Sequence, residues 1–401
     1  MNNMYRLFLL IGFLGYVFLL QAQPVKTREL YPFVQIQQGN YQQAFDTLEY
    51  LTQKEQNSHF YLAQIESSFQ LGLYPKALEI CNSLEKIKRN ASTACQVKIF
   101  LKLNDYISAQ RVLLKNLQSN HKISLFDLFN DKDYEKLIHS PFLDSILKTK
   151  VYSATEKQIY RAEQLYEQEK FTEALFLVQE IIHRNNNLHQ VFYIHSKVSN
   201  ALKDYNKALE TINKAIEISK IPVQYFEQRA KLYDKMGDFE RALSDIEKAI
   251  YKNPYQVDSY LLKAELLLKV GRYSQSIAII DDLLPLMPHN ASLLMIKTRS
   301  LYQDNKLLEA LVTVNESFEQ KASKEQYELR GDIYSATGTW EYAISDYSMY
   351  LDYDPFNGDI YAKKGYGRLK TGDKKGACYD WNKGKRYGSI DAIRYWAKYC
   401  R

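Results

Sequence analysis

The sequence feature that most constrains the fold of this chain is a short motif that recurs ten times at a nearly constant interval. Each copy opens with a turn residue, usually has an aromatic or long apolar residue two positions later, and places a small residue three positions after that. The small residues are Ala44, Ala77, Ala109, Ala174, Ala208, Ala242, Ser276, Ala310, Ala343 and Ala377. Their successive spacings are 33, 32, 65, 34, 34, 34, 34, 33 and 34, where 65 spans two periods. An interval of this size predicts stacked copies of one structural unit instead of a single globular core.

Each period predicts a pair of helices joined by a tight turn. The small residue allows the second helix to pack closely on the first, and aromatic residues fill the remaining space. A Gly, Asn or Asp at the start of the motif tolerates the positive φ that closes the turn. Pro254, Pro288 and Pro355 are placed to end the second helix of their units. The sequence therefore predicts an all-α chain of helical hairpins.

The period resembles that of the tetratricopeptide repeat family over about Leu30 to Arg401. Two copies follow the family pattern most fully. In one of them the matching residues are Phe226, Ala230, Tyr233, Gly237, Phe239, Ala242, Ile246, Ala249 and Pro254, and in the other they are Tyr327, Gly331, Tyr334, Gly338, Trp340, Ala343, Tyr347, Leu351 and Pro355. The resemblance implies a right-handed α-solenoid of about 10–11 helix-turn-helix repeats with a concave groove.

The resemblance also implies where partners bind, because in this family the first helix of each unit lines the concave surface. The inward positions of these helices are Tyr193, Lys197, Asn200, Glu227, Lys231, Asp234, Leu261, Glu265, Leu268, Met295, Arg299, Tyr302, Glu328 and Asp332. This mixture of charged, aromatic and apolar residues is typical of a groove that docks a peptide or helical segment of another protein. The alternative for each residue is a hydrated side chain without a partner.

The repeat pattern predicts five segments along the chain. They are a signal peptide at 1–22, an N-terminal array at 23–120, a degenerate repeat or hinge at 121–152, a C-terminal array at 153–389 and a capping helix at 390–401. The motif is missing between His121 and Lys150, where Ser140-Pro141 is expected to break or start a helix. This stretch is interpreted either as a hinge between two arrays or as one drifted repeat.

The N-terminus predicts export from the cytosol. Residues Leu7 to Leu20 form 14 consecutive apolar or glycine residues after Arg6, and a cleavage site precedes Gln23. The alternative is an uncleaved membrane anchor, although the run is shorter than the roughly 20 residues that span a bilayer. We expect the protein in the periplasm or cell envelope.

Four cysteines are an even number, which permits two disulfides in an exported chain. The simplest local pairings join Cys81 to Cys95 and Cys378 to Cys400. The alternative for the first pair is a set of buried small apolar residues.

The sequence predicts a non-enzymatic protein without cofactor or metal. His183, His189 and His195 are six residues apart, which does not place them on one helix face as an i, i+4 metal-binding pair would be. The basic residues near the C-terminus are interpreted as a solvated outer face or as a site for an anionic partner; they are Lys374, Lys375, Lys383, Lys385 and Arg386.

Two functions remain open. One is a scaffold or adaptor that binds protein partners, not nucleic acid, in the envelope. The other is a membrane-tethered accessory subunit of an envelope or secretion complex.

Overall fold

The computed structural model describes residues 27–400 apart from 139, 149–150, 185–186, 220–222 and 320–321. Helices and their connecting turns account for these residues, and no strand occurs among them. The prediction of an all-α fold made of consecutive helix pairs is confirmed. The predicted signal peptide and its cleavage site before Gln23 lie outside the described residues.

The chain divides into two compact units, Lys26–Tyr260 and Leu261–Arg401. The helices of the first unit are α1 (Thr27–Gln37), α2 (Tyr41–Lys54), α3 (Ser58–Gln70), α4 (Tyr74–Ile87), α5 (Thr93–Lys102), α6 (Tyr106–Leu117), α7 (Leu125–Asn130), α8 (Glu135–Ile138), α9 (Pro141–Lys148), α10 (Ala154–Glu167), α11 (Phe171–Arg184), α12 (His189–Ala201), α13 (Tyr205–Ile218), α14 (Val223–Lys235) and α15 (Phe239–Lys252). The boundary between the units falls within α16 (Val257–Lys269). The helices of the second unit are α17 (Tyr273–Leu283), α18 (Ala291–Gln303), α19 (Leu307–Ser317), α20 (Lys324–Ala336), α21 (Trp340–Tyr353), α22 (Gly358–Lys370), α23 (Lys374–Arg386) and α24 (Ile390–Tyr399). The boundaries expected at residues 120 and 152 stay predictions.

The small residue of every motif is completely buried. All ten lie on the second helix of a pair and are 0% exposed, from Ala44 on α2 to Ala377 on α23. Because a larger side chain at these positions would separate the two helices, the small residue fixes the interhelical distance. This is the packing role that the period predicts.

The turn residue of every motif has a positive φ. Six of these residues are glycines, with Gly237 at φ 78° as an example, and four are not: Asn104, Glu169, Lys203 and Asn305, at φ 58–64°. The left-handed conformation lets the chain reverse within three residues between the two helices of a pair. The turn geometry is thus kept even where the residue that favours it is missing.

The segment 121–152 forms short helices where the other periods form a pair. Helices α7, α8 and α9 bury Leu128, Leu137 and Leu143, which share one core with Ala109 and Leu113 of α6. Helix α9 begins at Pro141, as the sequence predicts. The segment therefore continues the core of the preceding repeat, and its role as a hinge stays a prediction.

The last helix covers the end of the second unit. Trp381 on α23 is 0% exposed, and its ring centroid lies 5.4 Å from that of Tyr395 and 5.7 Å from that of Tyr399, both on α24. Cys378 and Cys400 form a disulfide across 22 residues of sequence, as predicted. Helix α24 and the disulfide together close the apolar face that the final repeat would otherwise expose.

The other two cysteines are free thiols, so the predicted disulfide between them is wrong. Cys81 is 0% exposed in the core beside Ala77 and Leu84, and Cys95 packs against the same core. Burial raises the pKa of the Cys95 thiol to about 11, which keeps it protonated at neutral pH. The two residues act as the small apolar side chains of the alternative interpretation.

A buried ion pair joins the two helices in each of two repeats. Arg330 on α20 donates two hydrogen bonds of 2.8 Å to the carboxylate of Asp346 on α21, and a third of 2.8 Å to Asn315. Arg229 and Asp245 repeat this arrangement between α14 and α15. Asp346 is 4% exposed and depends on Arg330 for its charge compensation, whereas Asp245, 2% exposed, also accepts a 3.0 Å hydrogen bond from Lys248.

The two ends of the unit Lys26–Tyr260 are in contact. The ring of Tyr255, in the turn after α15, stacks on Phe33 of α1 with centroids 4.8 Å apart and lies 5.2 Å from Phe60 of α3. The Nδ2 of Asn57 donates a 2.8 Å hydrogen bond to the Tyr255 hydroxyl. The first repeat of the unit therefore packs against a turn about 200 residues later in the chain.

Candidate functional site

The fourteen predicted groove residues lie on the first helices of five successive pairs, α12, α14, α16, α18 and α20. None of them is buried: each is half-buried or exposed. This contrasts with the ten small residues on the second helices, which are all completely buried. Both helices of a pair also bury residues, for example Phe192 on α12 and Ile212 on α13, so accessibility belongs to the predicted positions and not to the whole first helix.

In the unit Lys26–Tyr260 a mixed aromatic and charged cluster forms on neighbouring first helices. The ammonium of Lys197 lies 4.1 Å from the ring centroid of Tyr166 and 3.7 Å from the carboxylate of Glu167. Tyr193 lies beside Tyr225, with centroids 5.0 Å apart. The ring of Tyr166 and the carboxylate of Glu167 hold the Lys197 side chain of α12 against α10.

The same cluster contains a carboxyl group that titrates near neutral pH. Burial raises the pKa of Glu163 on α10 to about 7, and the nearby ammonium of Lys197 opposes this rise. Sequence reasoning missed Glu163, because its helix precedes the repeats from which the groove positions were counted. The charge of this cluster consequently changes between pH 6 and 8.

The remaining predicted residues of this unit make polar contacts between neighbouring first helices. The amide oxygen of Asn200 accepts a 3.0 Å hydrogen bond from Lys235, and the carboxylate of Glu227 accepts one of 2.7 Å from Ser259. Lys231 is exposed. These contacts fix the side chains of Asn200 and Glu227 between adjacent repeats.

In the unit Leu261–Arg401 the first helices and α24 form a cleft of about 340 Å³. Its lining residues are Tyr302, Asp332, Ser335, Ala336, Tyr347, Asp359, Ala362, Lys363, Tyr366, Asp391 and Tyr395. Four tyrosines, three aspartates and one lysine dominate the surface. The cleft is therefore aromatic and polar, with hydrogen-bonding groups on several of its walls.

A hydrogen-bond network crosses one wall of the cleft. The ammonium of Lys363 on α22 donates to Asp332 at 2.9 Å and to Glu328 at 2.8 Å, both on α20. The other carboxylate oxygen of Asp332 accepts a 2.8 Å hydrogen bond from the Tyr347 hydroxyl. Although burial alone would lower it, the pKa of Lys363 is raised by these two carboxylates, so the lysine stays charged.

The cleft brings together two of the predicted groove residues, Tyr302 and Asp332, with Glu328 at its edge through Lys363. It does not include the other predicted residues of this unit, among which Glu265 and Arg299 are exposed and Met295 contacts Ser317. The predicted groove positions thus occupy more of the inner surface than the cleft itself.

Counting by the repeat period would have predicted three of the cleft residues that sequence reasoning missed. Ser335 precedes Ala343 by eight residues, just as Tyr302 precedes Ala310. Ala362 and Tyr366 precede Ala377 by 15 and 11 residues, just as Glu328 and Asp332 precede Ala343. Asp391 and Tyr395 have no such signal, because α24 follows the last period.

The described part of the chain contains neither a group of three or more histidine, cysteine, aspartate or glutamate side chains placed to hold a metal ion nor a helix long and apolar enough to cross a membrane.

Two parts of the chain are similar to sequence profiles of a repeat family. A sequence profile described as tetratricopeptide repeat matches residues 235–300, and a second profile with the same description matches residues 189–221. A search of curated proteins found no significant match.

Solved structures align with this chain at low sequence identity. A tetratricopeptide repeat protein from Parabacteroides merdae is 17% identical and aligns over 60% of this chain and 96% of its own, with a TM-score of 0.51. The C-terminal part of a repeat-containing protein from Cytophaga hutchinsonii is 15% identical and aligns over 59% of this chain and 98% of its own, with a TM-score of 0.48. The likeness to the first structure supports an α-solenoid and says nothing of a partner.

Proposed function

From the premise that this chain is a tetratricopeptide repeat protein, we propose that it is a non-enzymatic scaffold that binds peptide or helical segments of partner proteins. The fold by itself suggests protein–protein interaction. The binding surface of the proposal is the inner face, which we define for each unit by itself. It is the accessible side of α12 and α14 in the unit Lys26–Tyr260, and of α16 from Leu261 onward, α18 and α20 in the unit Leu261–Arg401.

The observation that carries the proposal is that all fourteen predicted positions are accessible, on helices that also bury residues such as Phe192 and Leu301. The fourteen inner-face residues stay accessible although apolar and aromatic side chains are among them, whereas the small residues behind them are 0% exposed. An accessible surface that mixes tyrosine, leucine and both signs of charge is typical of peptide docking in grooves.

Affinity capture tests the proposal with matched variants. The full chain, purified after export, is used to capture proteins from an envelope extract, beside a double variant of two exposed inner-face residues, Lys231→Glu and Arg299→Glu. The control reverses two exposed charges on the second helices, Lys214→Glu and Lys252→Glu. We expect partners that bind the wild type and the control and are lost from the inner-face variant. Equal recovery by all three proteins, or recovery by none, would contradict the proposal.

We further propose that the scaffold works in the periplasm or cell envelope. The support is the apolar stretch from Leu7 to Leu20 and the small-residue site before Gln23. N-terminal sequencing of the protein recovered from an envelope fraction separates this from the membrane-tethered alternative. A chain that begins at Gln23 is the expected result, and one that still begins at Met1 would favour the tethered accessory subunit.

A further inference from the structure

We propose that the cleft of the unit Leu261–Arg401 binds the ammonium or guanidinium group of a single lysine or arginine side chain in a partner segment. This inference rests on the proposed function, because it assumes that a partner segment lies along the first helices. It adds the chemistry by which one position of that segment is recognised.

The charge of the lining favours a cation. Three aspartates against one lysine give the lining residues a formal charge of −2, of which Asp391 already forms a 3.2 Å ion pair with Arg394. Lys363 already donates to Asp332 and Glu328, so its charge is neutralised within the protein and is a poor site for an anion. The carboxylate of Asp359 makes no ion pair with any described residue, and it is exposed at the start of α22. Asp359 is therefore the acceptor best placed to pair with an incoming cation.

The tyrosines of the cleft favour the same ligand. The rings of Tyr366 and Tyr395 lie with centroids 5.5 Å apart on adjacent walls, and Tyr302 lines the cleft from α18. The face of an aromatic ring attracts a cation through its quadrupole. The ammonium of Lys370 already lies 5.3 Å from the centroid of Tyr366, so Tyr302 and Tyr395 are the rings expected to meet the incoming cation. Aromatic faces beside carboxylates form a surface that suits a long basic side chain.

The size and surroundings of the cleft limit the partner to one isolated basic residue. A volume of about 340 Å³ lies at the lower end of the range for ligand pockets, about 300–1,000 Å³, and suits one side chain with its adjoining backbone. The sequence from Gly358 to Arg401 carries 12 Lys or Arg against 4 Asp, a net charge of +8. A polybasic segment would be repelled by this charge, so the preferred segment has neutral or acidic residues on both sides of its lysine or arginine.

Selection from a library of random 12-residue peptides on the full chain tests this assignment. We expect binders with one lysine or arginine at a fixed position, and a fluorescent copy of such a peptide should bind about tenfold more weakly when that residue is replaced by norleucine. In the double variant Asp359→Asn and Asp391→Asn, the affinity for the basic peptide should fall by a similar factor. Its affinity for the norleucine peptide should equal that of the wild type. Both aspartates are exposed, so the variant is expected to fold. The control Asp352→Asn removes an exposed carboxylate outside the cleft and should change nothing.

The outcomes separate this inference from the proposed function. A library that yields no binder at all would overturn both. Binders without an enriched basic residue, or basic peptides that bind the double variant as tightly as the wild type, would overturn the cation site alone. Spermidine that displaced the peptide at equal concentration would show that the cleft takes a free polyamine and would overturn the peptide side chain as its occupant.

Discussion

At the scale of single residues, His195 is the most unusual buried side chain of the described chain. It is 4% exposed on α12, and neither ring nitrogen has a hydrogen-bond partner among the described residues. Burial lowers the pKa of the imidazole to about 4; Lys207 and Lys214 add to this effect, and Glu210 and Asp204 oppose it. The folded protein therefore holds His195 neutral at a pH where the unfolded chain would protonate it.

This depressed pKa predicts that the stability of the unit falls with pH below about 6.5. Between 6.5 and about 4 the unfolded chain binds a proton that the folded chain does not, so the free energy of unfolding decreases as the pH decreases. The full loss is roughly 3 kcal/mol, and it is complete near pH 4. Urea unfolding followed by circular dichroism at several pH values measures this slope.

The variant His195→Leu should remove most of that slope, because no proton can be taken up at this position. The control His183→Gln changes an exposed histidine of the preceding helix and should keep the slope of the wild type. A His195→Leu protein that loses stability below pH 6.5 as steeply as the wild type would rule out His195 as the source.

The turn residues provide a second prediction at this scale. Lys203 has a φ of 64° in the position that Gly237 occupies, at φ 78°, in the next repeat. A lysine in the left-handed region is strained, so Lys203→Gly should stabilise the protein by about 0.5–1 kcal/mol. The reciprocal change Gly237→Ala should destabilise it by about 1 kcal/mol, and since no atom lies within 4 Å of the added Cβ, the backbone alone would be responsible. Thermal unfolding measures the change in melting temperature of each variant. Changes of the same sign in the two variants would contradict the prediction that the left-handed turn favours glycine.

At the scale of the helical elements, the period explains where helices start and end but not what ties the two helices of a pair together. The buried pairs Arg330–Asp346 and Arg229–Asp245 do so in two repeats. Their sequence signal is a basic residue 13 positions before the small residue and an aspartate three positions after it. That signal is recognised only once the structure shows that the two positions face each other across the hairpin.

Loss of one partner of such a pair predicts a large loss of stability. Arg330→Met leaves the carboxylate of Asp346 buried without its cation, at a cost of about 3–5 kcal/mol in the free energy of unfolding. The double variant Arg330→Met and Asp346→Leu should recover most of this, because it removes the buried charge as well. Urea unfolding curves of the single and double variants provide the comparison.

The control for this prediction is an exposed ion pair. Lys207 and Glu210 lie 2.7 Å apart on the surface of α13, with side chains 40% and 47% exposed. Lys207→Met should change stability by no more than about 0.5 kcal/mol. The assigned role of Arg330 would be refuted by a single variant that is as stable as this control.

At the scale of the whole molecule, contacts between residues far apart in sequence decide how a repeat array ends. In the unit Lys26–Tyr260 the first repeat packs against the turn that follows α15. The contact is made by Tyr255 with Phe33, Phe60 and Asn57. In the unit Leu261–Arg401 the array ends under α24 and the disulfide Cys378–Cys400. Each end covers apolar surface that a stacked repeat would otherwise expose.

The first of these contacts predicts that Tyr255→Ala destabilises its unit by about 2 kcal/mol, through lost aromatic burial and the lost hydrogen bond from Asn57. Tyr255→Phe should lose only the hydrogen bond, about 1 kcal/mol. Tyr251 lies four residues earlier, is 77% exposed and serves as the control. Thermal unfolding distinguishes the variants, and a loss for Tyr255→Ala no greater than that for Tyr251→Ala would contradict the contact.

The sequence by itself determined the helix pairs, the ten buried small residues, the positive φ of the eight turns that have Gly or Asn, the start of α9 at Pro141 and the helix Ile390–Tyr399. All of these are local, because they depend on residues within one period whose spacing fixes which face of a helix they share. The accessible positions on the first helices followed from the same arithmetic, and so did Tyr302 and Asp332 in the cleft.

The tertiary structure alone decided which cysteines pair, which residues close the cleft, and that Tyr255 meets the first repeat. Cys81 and Cys95 share a core without bonding, whereas Cys378 and Cys400 do bond. Asp391 and Tyr395 reach the cleft only because α24 folds back onto the last repeat. These features join residues whose separation is not a multiple of the period, and their distances depend on how successive repeats stack, which a one-dimensional pattern does not contain.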